Sequence, residues 1–187
     1  ATRLSTSLFS MSLMNLPSGF REARKICAAC EGVKRVLGVR PVPLPESPDR
    51  RRRLERLRGL YAIAGDDDPV GSAAAALDGG ASVVQVRLKT TPTGAFLLAA
   101  RKVVELASGR ALVIVNDRAD LAFLAGADGV HLGEEDLPPA EARRILGPGL
   151  LGGRNCRTLG EAGAGRRAGA EHGGFGPMFG STVKARA

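Results

Sequence analysis

Two aspartates, Asp117 and Asp136, each follow a short apolar run, an arrangement that suits a site for a divalent cation. The runs at 112–115 and 129–132 have the character of buried strands with a helix between them, which predicts a βαβ unit. Parallel strands joined in this way place both C-terminal turns at the same edge of the sheet, so we expect the two carboxylates to converge. Because Mg²⁺ prefers oxygen ligands, the unit predicts a magnesium site.

The same two aspartates also suit a structural role. Each precedes a helical pattern, and aspartate is a frequent N-cap residue. Pro138, just after Asp136, is typical of the first turn of a helix. Taken alone, the βαβ unit leaves both the cation site and the helix cap open.

A row of polar residues ends the preceding strand. Gln85, Arg87 and Lys89 alternate with Val86 and Leu88, so the three polar side chains are expected on one face. Strands of a parallel sheet are normally apolar on both faces, and two cations beside an amide suit a polyphosphate. The alternative is a strand end whose charges splay into solvent.

Short apolar runs alternate with helical patterns from residue 60 onward, which predicts a parallel sheet with its polar clusters at the carboxyl ends of the strands. The predicted strands are 60–64, 82–86, 111–115, 129–132, 150–152 and 173–176, and the predicted helices are 69–77, 92–107, 118–124, 138–146 and 159–168. A glycine-rich segment, 174–184, follows the last strand and could hold a phosphate through its backbone N–H groups. His131 lies within a strand, and we interpret it as packing rather than as a base.

The net charge of +8 lies entirely in the first third of the chain. Residues 1–59 hold 13 Lys and Arg against 5 Asp and Glu, whereas residues 60–187 hold 14 of each kind. Residues 1–59 are therefore predicted as a basic N-terminal extension, partly helical or disordered, and residues 60–187 as the catalytic domain. The basic segment 50–58 has no interleaved aromatic residues, so we interpret it as a solvated helix docked near the bottom of the sheet, and nucleic acid is not an expected partner.

The composition also excludes some classes of protein. No run of 18 apolar residues is present, so no transmembrane helix is predicted. Cys27, Cys30 and Cys156 do not make a disulfide framework, and the first two lack the partners of a zinc or redox site. Reduced thiols and a cytoplasmic location are expected.

Four motifs, in this order, resemble those of the thiamine phosphate synthase family. The family has Q-x-R-x-K, N-D-R, G-V-H-L-G followed by acidic residues, and G-P-x-F/Y-x-T-x-T-K, which correspond here to 85–89, 116–118, 129–136 and 176–184. The resemblance implies a (β/α)₈ barrel and a magnesium-dependent transferase. Its reaction joins hydroxymethylpyrimidine diphosphate to thiazole phosphate, giving thiamine phosphate and pyrophosphate.

The resemblance also implies a role for each motif residue. Asp117 and Asp136 would hold Mg²⁺, and Arg87, Lys89 and Lys184 would be catalytic. The substrate-binding residues would be Gln85, Arg87, Lys89, Asn116, Ser181 and Lys184. No protein nucleophile is needed, because the pyrimidine ring stabilises the cation left by the departing diphosphate, and catalysis consists of positioning and charge neutralisation.

Three features depart from the family pattern. Arg154 stands where the family has a serine that donates to pyrophosphate in a turn after the fifth strand; an arginine could still bind phosphate, but its bulk is expected to crowd a closed site. Val183 replaces the second hydroxyl of the glycine-rich loop. Six strands are predicted where eight close a barrel, so we expect a truncated barrel, with very weak or no activity if the chain is complete.

Two other functions stay open. A thiazole tautomerase of the same fold would not need two magnesium carboxylates, and the Asp117–Asp136 pair argues against it. A non-catalytic remnant that binds anions or nucleic acid through its basic arm would show binding that depends steeply on salt. No pattern indicates an oligomeric state.

Overall fold

The computed structural model describes residues 47–175. Within this range, one parallel sheet holds six strands in the order of the chain. The strands are β1 (Tyr61–Ala64), β2 (Val83–Val86), β3 (Leu112–Asn116), β4 (Gly129–Leu132), β5 (Leu151–Cys156) and β6 (His172–Phe175). The helices are α1 (Pro48–Arg56), α2 (Pro69–Asp78), α3 (Thr93–Ala107), α4 (Ala119–Ala125), α5 (Pro139–Leu146) and α6 (Leu159–Arg167).

Sequential strand order determines where the helices lie. Each crossover between neighbouring parallel strands is expected to be right-handed, so helices α2 to α6 cover the same face of the sheet. This is the arrangement of a partial (β/α) barrel. The predicted parallel α/β fold is confirmed, and the bounds of the predicted helices agree with the structure within two residues at each end.

The sheet is buried on both faces, as expected for a parallel sheet. The outer face packs against the helices through Val84, Val86, Val113, Val115, Val130 and Leu132. The inner face forms a smaller cluster of Val83, Leu112, Ile114 and Leu151, joined by Leu57 just after α1. Successive side chains along each strand therefore alternate between two hydrophobic clusters, one against the helices and one in the barrel interior.

Helix α1 docks at the amino end of the strands, where the sequence analysis expected the basic segment. The Arg53 guanidinium donates to Asp128 at 2.9 Å and to the Gly149 carbonyl at 3.1 Å. The Arg50 guanidinium donates to the Pro148 carbonyl at 3.2 Å. The helix is thus not fully solvated, because two of its arginines bind the loops that precede β4 and β5, while Arg51 stays exposed.

A buried ion pair between Arg143 and Glu171 lies at the amino end of β5 and β6. Arg143 Nη2 lies 2.7 and 2.6 Å from the two carboxylate oxygens of Glu171. The Gly152 N–H donates to the same carboxylate at 2.6 Å, and Arg143 also donates to the Leu150 carbonyl. Burial raises the pKa of Glu171, and the Gly152 N–H and the Arg143 charge partly offset this effect.

Strand β5 is longer than predicted. The sequence analysis ended it at Gly152, but it continues to Cys156, so the segment interpreted as a turn is strand. Glycines and polar residues give this stretch little intrinsic strand character. Its conformation comes from pairing with β4 on one side and β6 on the other.

Several predictions concern residues outside 47–175. These include the helix predicted at 21–39, Cys27, Cys30 and the glycine-rich segment beyond Phe175. Among the helices described here, none is both long enough and apolar enough to cross a membrane.

Candidate functional site

The carboxyl groups of Asp117 and Asp136 meet at the carboxyl edge of the sheet, where they share a hydrogen bond. Asp117 directly follows β3, and its N–H donates to the His131 carbonyl on β4 at 2.8 Å. Asp136 lies in the loop after β4 and accepts from the Gly133 N–H at 2.6 Å. The βαβ unit therefore brings together the two carboxylates that the sequence proposed as magnesium ligands.

Neither aspartate caps a helix. Arg118 occupies the N-cap position of α4 and Pro138 that of α5, and neither helix has a side-chain cap hydrogen bond. The capping alternative is therefore wrong for Asp117 and Asp136. Their carboxylates are directed to each other and to neighbouring loops.

The backbone of Asp117 has a φ of 63°, in the left-handed region. Among the non-glycine residues in the described part of the chain, it alone has a positive φ. This conformation costs on the order of 1–3 kcal/mol for a residue with a Cβ, although aspartate tolerates it better than most. In this turn the Asp117 carboxylate contacts Asp136, in the loop after β4.

Lys89 and Arg87 provide the positive charge beside this pair. The Lys89 ammonium forms an ion pair with Asp117 Oδ2. Burial acts to raise the pKa of Asp117, but the hydrogen bonds from Asp136 and Lys89 act against it. With the charges of Lys89 and Arg87 added, the pKa of Asp117 lies below its usual range.

Asp136 responds in the opposite direction. Burial raises the pKa of its carboxyl, and the hydrogen bond with Asp117 and the negative charge there raise it further. The Gly133 N–H offsets only part of the rise. The two carboxyls thus titrate as a pair, with the last proton held on Asp136. A proton between two carboxylates occupies a position where a cation would satisfy both.

The loop that carries Lys89 is held by Asp66, a residue that the sequence analysis did not identify. The Asp66 carboxylate accepts five hydrogen bonds, from the backbone N–H groups of Lys89, Thr90 and Thr91 and from both threonine hydroxyls, at 2.9–3.2 Å. The Lys89 and Thr90 N–H groups are the main reason that the pKa of Asp66 lies far below its usual range. The three consecutive aspartates after the first strand, 66–68, were the available sequence signal.

The predicted row of Gln85, Arg87 and Lys89 is not one strand face in the structure. Strand β2 ends at Val86, so only Gln85 lies in the sheet. Gln85 is buried and donates to the Tyr61 hydroxyl at 2.9 Å, whereas Lys89 is exposed. The position of Lys89 therefore depends on the loop rather than on strand alternation.

Asn116 and His131 are paired neighbours at the ends of β3 and β4, and both are buried. His131 Nε2 lies 2.9 Å from Asn155 Oδ1, and its Nδ1 lies 3.5 Å from His172 Nε2. Burial lowers the pKa of His131. These contacts agree with the interpretation of His131 as an interior packing residue.

Arg154 does not crowd the site. Its side chain packs against Gly165 of α6, on the helix-covered face of the sheet. The neighbouring residue, Asn155, faces the interior and contacts His131. The expectation that the bulk of Arg154 crowds the site is therefore wrong, because its side chain lies on the face of β5 opposite to the interior.

Ser181, Val183 and Lys184 lie outside the described residues, so their substrate-binding and catalytic roles stay predictions. Between residues 47 and 175, no three His, Cys, Asp or Glu side chains form a cluster that could hold a metal ion. The site therefore offers two carboxylates rather than a closed cage. Mg²⁺ in phosphate-transfer sites is commonly bound through one or two carboxylates plus substrate phosphates, and Asp117 with Asp136 fits that pattern.

Comparison with known proteins identifies the family. Residues 60–187 match the family model described as thiamine monophosphate synthase. The thiamine-phosphate synthase of Anaeromyxobacter dehalogenans strain 2CP-C is 58% identical over 144 residues, which cover 77% of this chain and 65% of that protein. The thiamine-phosphate synthase of Myxococcus xanthus strain DK1622 is 46% identical over 133 residues, covering 68% of this chain and 61% of that protein.

A solved structure gives the same result for the fold. Thiamine phosphate pyrophosphorylase from Pyrococcus furiosus superposes with a TM-score of 0.62 and 36% identity, covering 66% of this chain and 62% of that one. The chain spans less than two thirds of the length of these three relatives. With a match that extends from residue 60 to residue 187, the chain belongs to the thiamine monophosphate synthase family.

Proposed function

We propose that this chain carries the diphosphate-binding face of a thiamine phosphate synthase. The reaction joins hydroxymethylpyrimidine diphosphate to thiazole phosphate and releases pyrophosphate. The observation that supports this proposal most directly is the carboxylate pair, Asp117 with Asp136, beside the Lys89 ammonium. Paired carboxylates next to cations suit a metal-bound diphosphate and have no evident use in a tautomerase.

Asp117 and Asp136 would hold Mg²⁺. Their carboxyls already share a hydrogen bond, so replacing that proton by a cation removes the repulsion between two adjacent carboxylates. When bound, Mg²⁺ would neutralise charge on the diphosphate oxygens and so make pyrophosphate a better leaving group. Asp117 is 19% exposed, which leaves it accessible to a substrate entering from the carboxyl edge.

Lys89 and Arg87 would bind the diphosphate oxygens. The Lys89 side chain is 47% exposed and already lies against Asp117, so its ammonium can serve the carboxylate and a substrate oxygen together. Asn116 and Gln85, at the ends of neighbouring strands, would contact the substrate beside it. Ser181 and Lys184 are proposed to complete the set.

In this reaction the protein has to bind the two substrates and orient them, and it supplies no nucleophile. The bond between the pyrimidine methylene carbon and the diphosphate oxygen breaks, and its electron pair leaves with pyrophosphate. The thiazole nitrogen then forms the new bond to that carbon and takes the positive charge. No proton transfer is required, so placing the two substrates in line and stabilising the leaving group account for catalysis.

The test is an assay of the 187-residue chain for pyrophosphate release and thiamine phosphate formation, with Mg²⁺ and with a chelator. Asp117→Asn should lower kcat/KM on the order of 100-fold, because one ligand for the metal is lost. Asp120→Asn is the matched control, since Asp120 pairs with Arg118 at 2.6 Å rather than with Asp136. Equal turnover by Asp117→Asn and wild type would refute the carboxylate assignment, and thiazole isomerisation without Mg²⁺ would indicate a tautomerase.

A further inference from the structure

Helix α1 connects parts of the sheet that are not neighbours. Its last residue continues through residues 57–60 into β1, whereas its arginines bind the loops that precede β4, β5 and β6. Among the described strands, β1 and β6 are the two edges of the sheet. Residues 47–60, which we call the strap, therefore cross the amino end of the sheet from one edge strand to the strands near the other edge.

The carboxylates that bind the strap are themselves tied to the sheet. Arg53 donates to Asp128 at 2.9 Å, and the same carboxylate accepts the Val113 N–H of β3, also at 2.9 Å. Arg50 Nε lies 3.7 Å from Glu171 Oε1, and both side chains are largely buried. The Glu171 carboxylate in turn accepts the first free N–H of β5. The strap is thus attached to fixed points rather than to mobile surface groups.

The other end of the strap is attached to the start of β2. The Ser82 hydroxyl donates to the Arg58 carbonyl, and the Ser82 N–H donates to the Leu60 carbonyl at 3.0 Å. Between them, Gly59 has a φ of 78°, and a Cβ at this position would lie 2.7 Å from the Ser82 hydroxyl oxygen. The turn that leads from α1 into β1 therefore has a defined path.

Leu57 is the main apolar contact of the strap. It is buried in the interior cluster, which also contains Val83, Leu112, Ile114 and Leu151. Tyr61 packs against the same cluster, and burial raises the pKa of its hydroxyl far above the usual range. Detachment of the strap would therefore open the amino end of the interior to water.

We propose that the strap holds β1 toward β4, β5 and β6 and so fixes the curvature of the sheet and closes its interior at the end opposite to the proposed active site. The hydrogen bonds between neighbouring strands do not set how far the two edges of a sheet can separate, whereas a link across the sheet does. This inference goes beyond the proposed function, because it concerns the amino end of the strands.

The strap is held mainly by charge. Leu54 is the one large apolar side chain among the nine residues of α1. A helix of this length is marginal by itself in water, so α1 depends on its docking contacts. Loss of the Arg53 contacts should therefore release the helix as a unit while the sheet stays folded.

The strap also reaches a residue of the proposed site. The Gln85 amide donates to the Tyr61 hydroxyl at 2.9 Å, and Tyr61 lies beside Leu57 at the amino end of the interior. Release of the strap should loosen Tyr61 and with it the Gln85 side chain. The amino end of the sheet is in this way coupled to its carboxyl edge through one hydrogen bond.

Tyr61 provides the first readout, because the chain has one tyrosine and no tryptophan. In the wild-type chain, its fluorescence should be protected from acrylamide, a neutral quencher. Arg53→Met removes the bonds to Asp128 and to the Gly149 carbonyl, so quenching should rise severalfold while the circular dichroism of the remaining helices persists. Arg51→Met is the matched control, since Arg51 is exposed on the same helix and pairs with Glu55.

Amide hydrogen exchange then distinguishes a strap from a local contact. The printed contacts of Arg53 are with the loops before β4 and β5, so its loss can affect β1 only through the strap. In Arg53→Met, the amides of β1 should exchange about tenfold faster than in wild type, and those of Arg51→Met should not change. Acceleration confined to the loops before β4 and β5 would overturn the proposal.

The wild-type chain in a series of NaCl concentrations provides the same test if Arg53→Met does not fold. The Arg53 and Asp128 side chains are 28% and 24% exposed, so salt reaches and screens this pair. Quenching of Tyr61 should therefore increase with NaCl before the sheet unfolds. Quenching that stays constant over the series would refute a strap held by charge. Neither readout involves Mg²⁺ or a substrate, so either result leaves the proposed function to its own test.

Discussion

The Lys89 ammonium forms an ion pair with the Asp117 carboxylate although the two residues are 28 positions apart and come from different βα loops. Asp117 is also hydrogen-bonded to Asp136, so one carboxylate links a cation on one side to an acid on the other. The protonation of each aspartate therefore depends on the other aspartate and on the Lys89 charge. A change at Lys89 must alter the protonation of both aspartates.

We expect Lys89→Met to move the pH dependence of Mg²⁺ binding. In the wild type, binding should weaken as the pH falls, because the pKa of Asp136 is raised and its proton competes with the metal. Removing the ammonium takes away a charge that lowers the pKa of Asp117 and of Asp136, so the midpoint should move to higher pH.

Calorimetric Mg²⁺ titrations over a series of pH values, from mildly acidic to neutral, measure this midpoint. Lys102→Met is the control, because Lys102 is exposed on α3, in a helix that covers the sheet. Identical midpoints in Lys89→Met and wild type would show that the ion pair does not govern the carboxylates.

A second prediction concerns Asp66, whose five hydrogen bonds hold the loop of residues 89–91. Asp66→Asn replaces one acceptor oxygen by a donor, so several of these bonds must break. Amide hydrogen exchange at Lys89, Thr90 and Thr91 should accelerate, and kcat/KM should fall about tenfold as Lys89 loses its fixed position.

Asp67→Asn is the matched control, since Asp67 is the exposed neighbour. The loop should also keep its order at acidic pH. The pKa of Asp66 is depressed in the folded state, so its stabilising contribution is full above the unfolded-state pKa and is lost only as the pH falls through the lower, folded-state value. Unaltered exchange in Asp66→Asn would exclude this role.

The convergence of Asp117 and Asp136 could be predicted because it depends on topology alone. Consecutive parallel strands must end at the same edge, and Pro69, Pro139 and short polar turns mark where the helices begin. Asp66 could not be predicted in this way, because its partners lie 23–25 residues away in another loop. Local pattern carries no information about such a contact.

The misplacement of Arg154 has a different cause. Assigning a strand residue to the wrong position by one reverses which face its side chain occupies. Strand β5 has two glycines and little alternation of apolar and polar residues, so its sequence does not indicate which side chains face the barrel interior. In the structure, Gly153 pairs with both His131 and His172, whose side chains lie on the interior face of the sheet. Asn155, two residues further along β5, therefore faces the interior as well.

A third prediction concerns the buried pair of Arg143 and Glu171, whose side chains are 12% and 7% exposed. Glu171→Ala leaves the Arg143 guanidinium buried without its counter-ion and removes the acceptor of the Gly152 N–H. The free energy of unfolding, measured by chemical denaturation, should fall by about 3 kcal/mol.

The contrasting variant is Asp78→Ala, which breaks an exposed ion pair with Arg110. Solvent screens that pair, so its loss should change the stability by no more than about 0.5 kcal/mol. If the two variants lowered the free energy of unfolding by similar amounts, burial would not be what makes the Arg143–Glu171 pair important for stability.

The last prediction tests how closely β4 and β5 approach at their amino ends. Gly129 pairs with Leu151, and a Cβ at position 129 would lie 2.7 Å from the Leu151 Cβ and nearer still to its carbonyl oxygen. Because the obstacle is backbone, it cannot turn aside, so Gly129→Ala should destabilise the fold by about 2–3 kcal/mol. Gly94→Ala has open space around it in the first turn of α3 and should stabilise by about 0.5 kcal/mol, since alanine loses less backbone entropy in a helix. Denaturation midpoints that move in opposite directions would verify the close approach, whereas a neutral Gly129→Ala would show that the two strands can separate without cost.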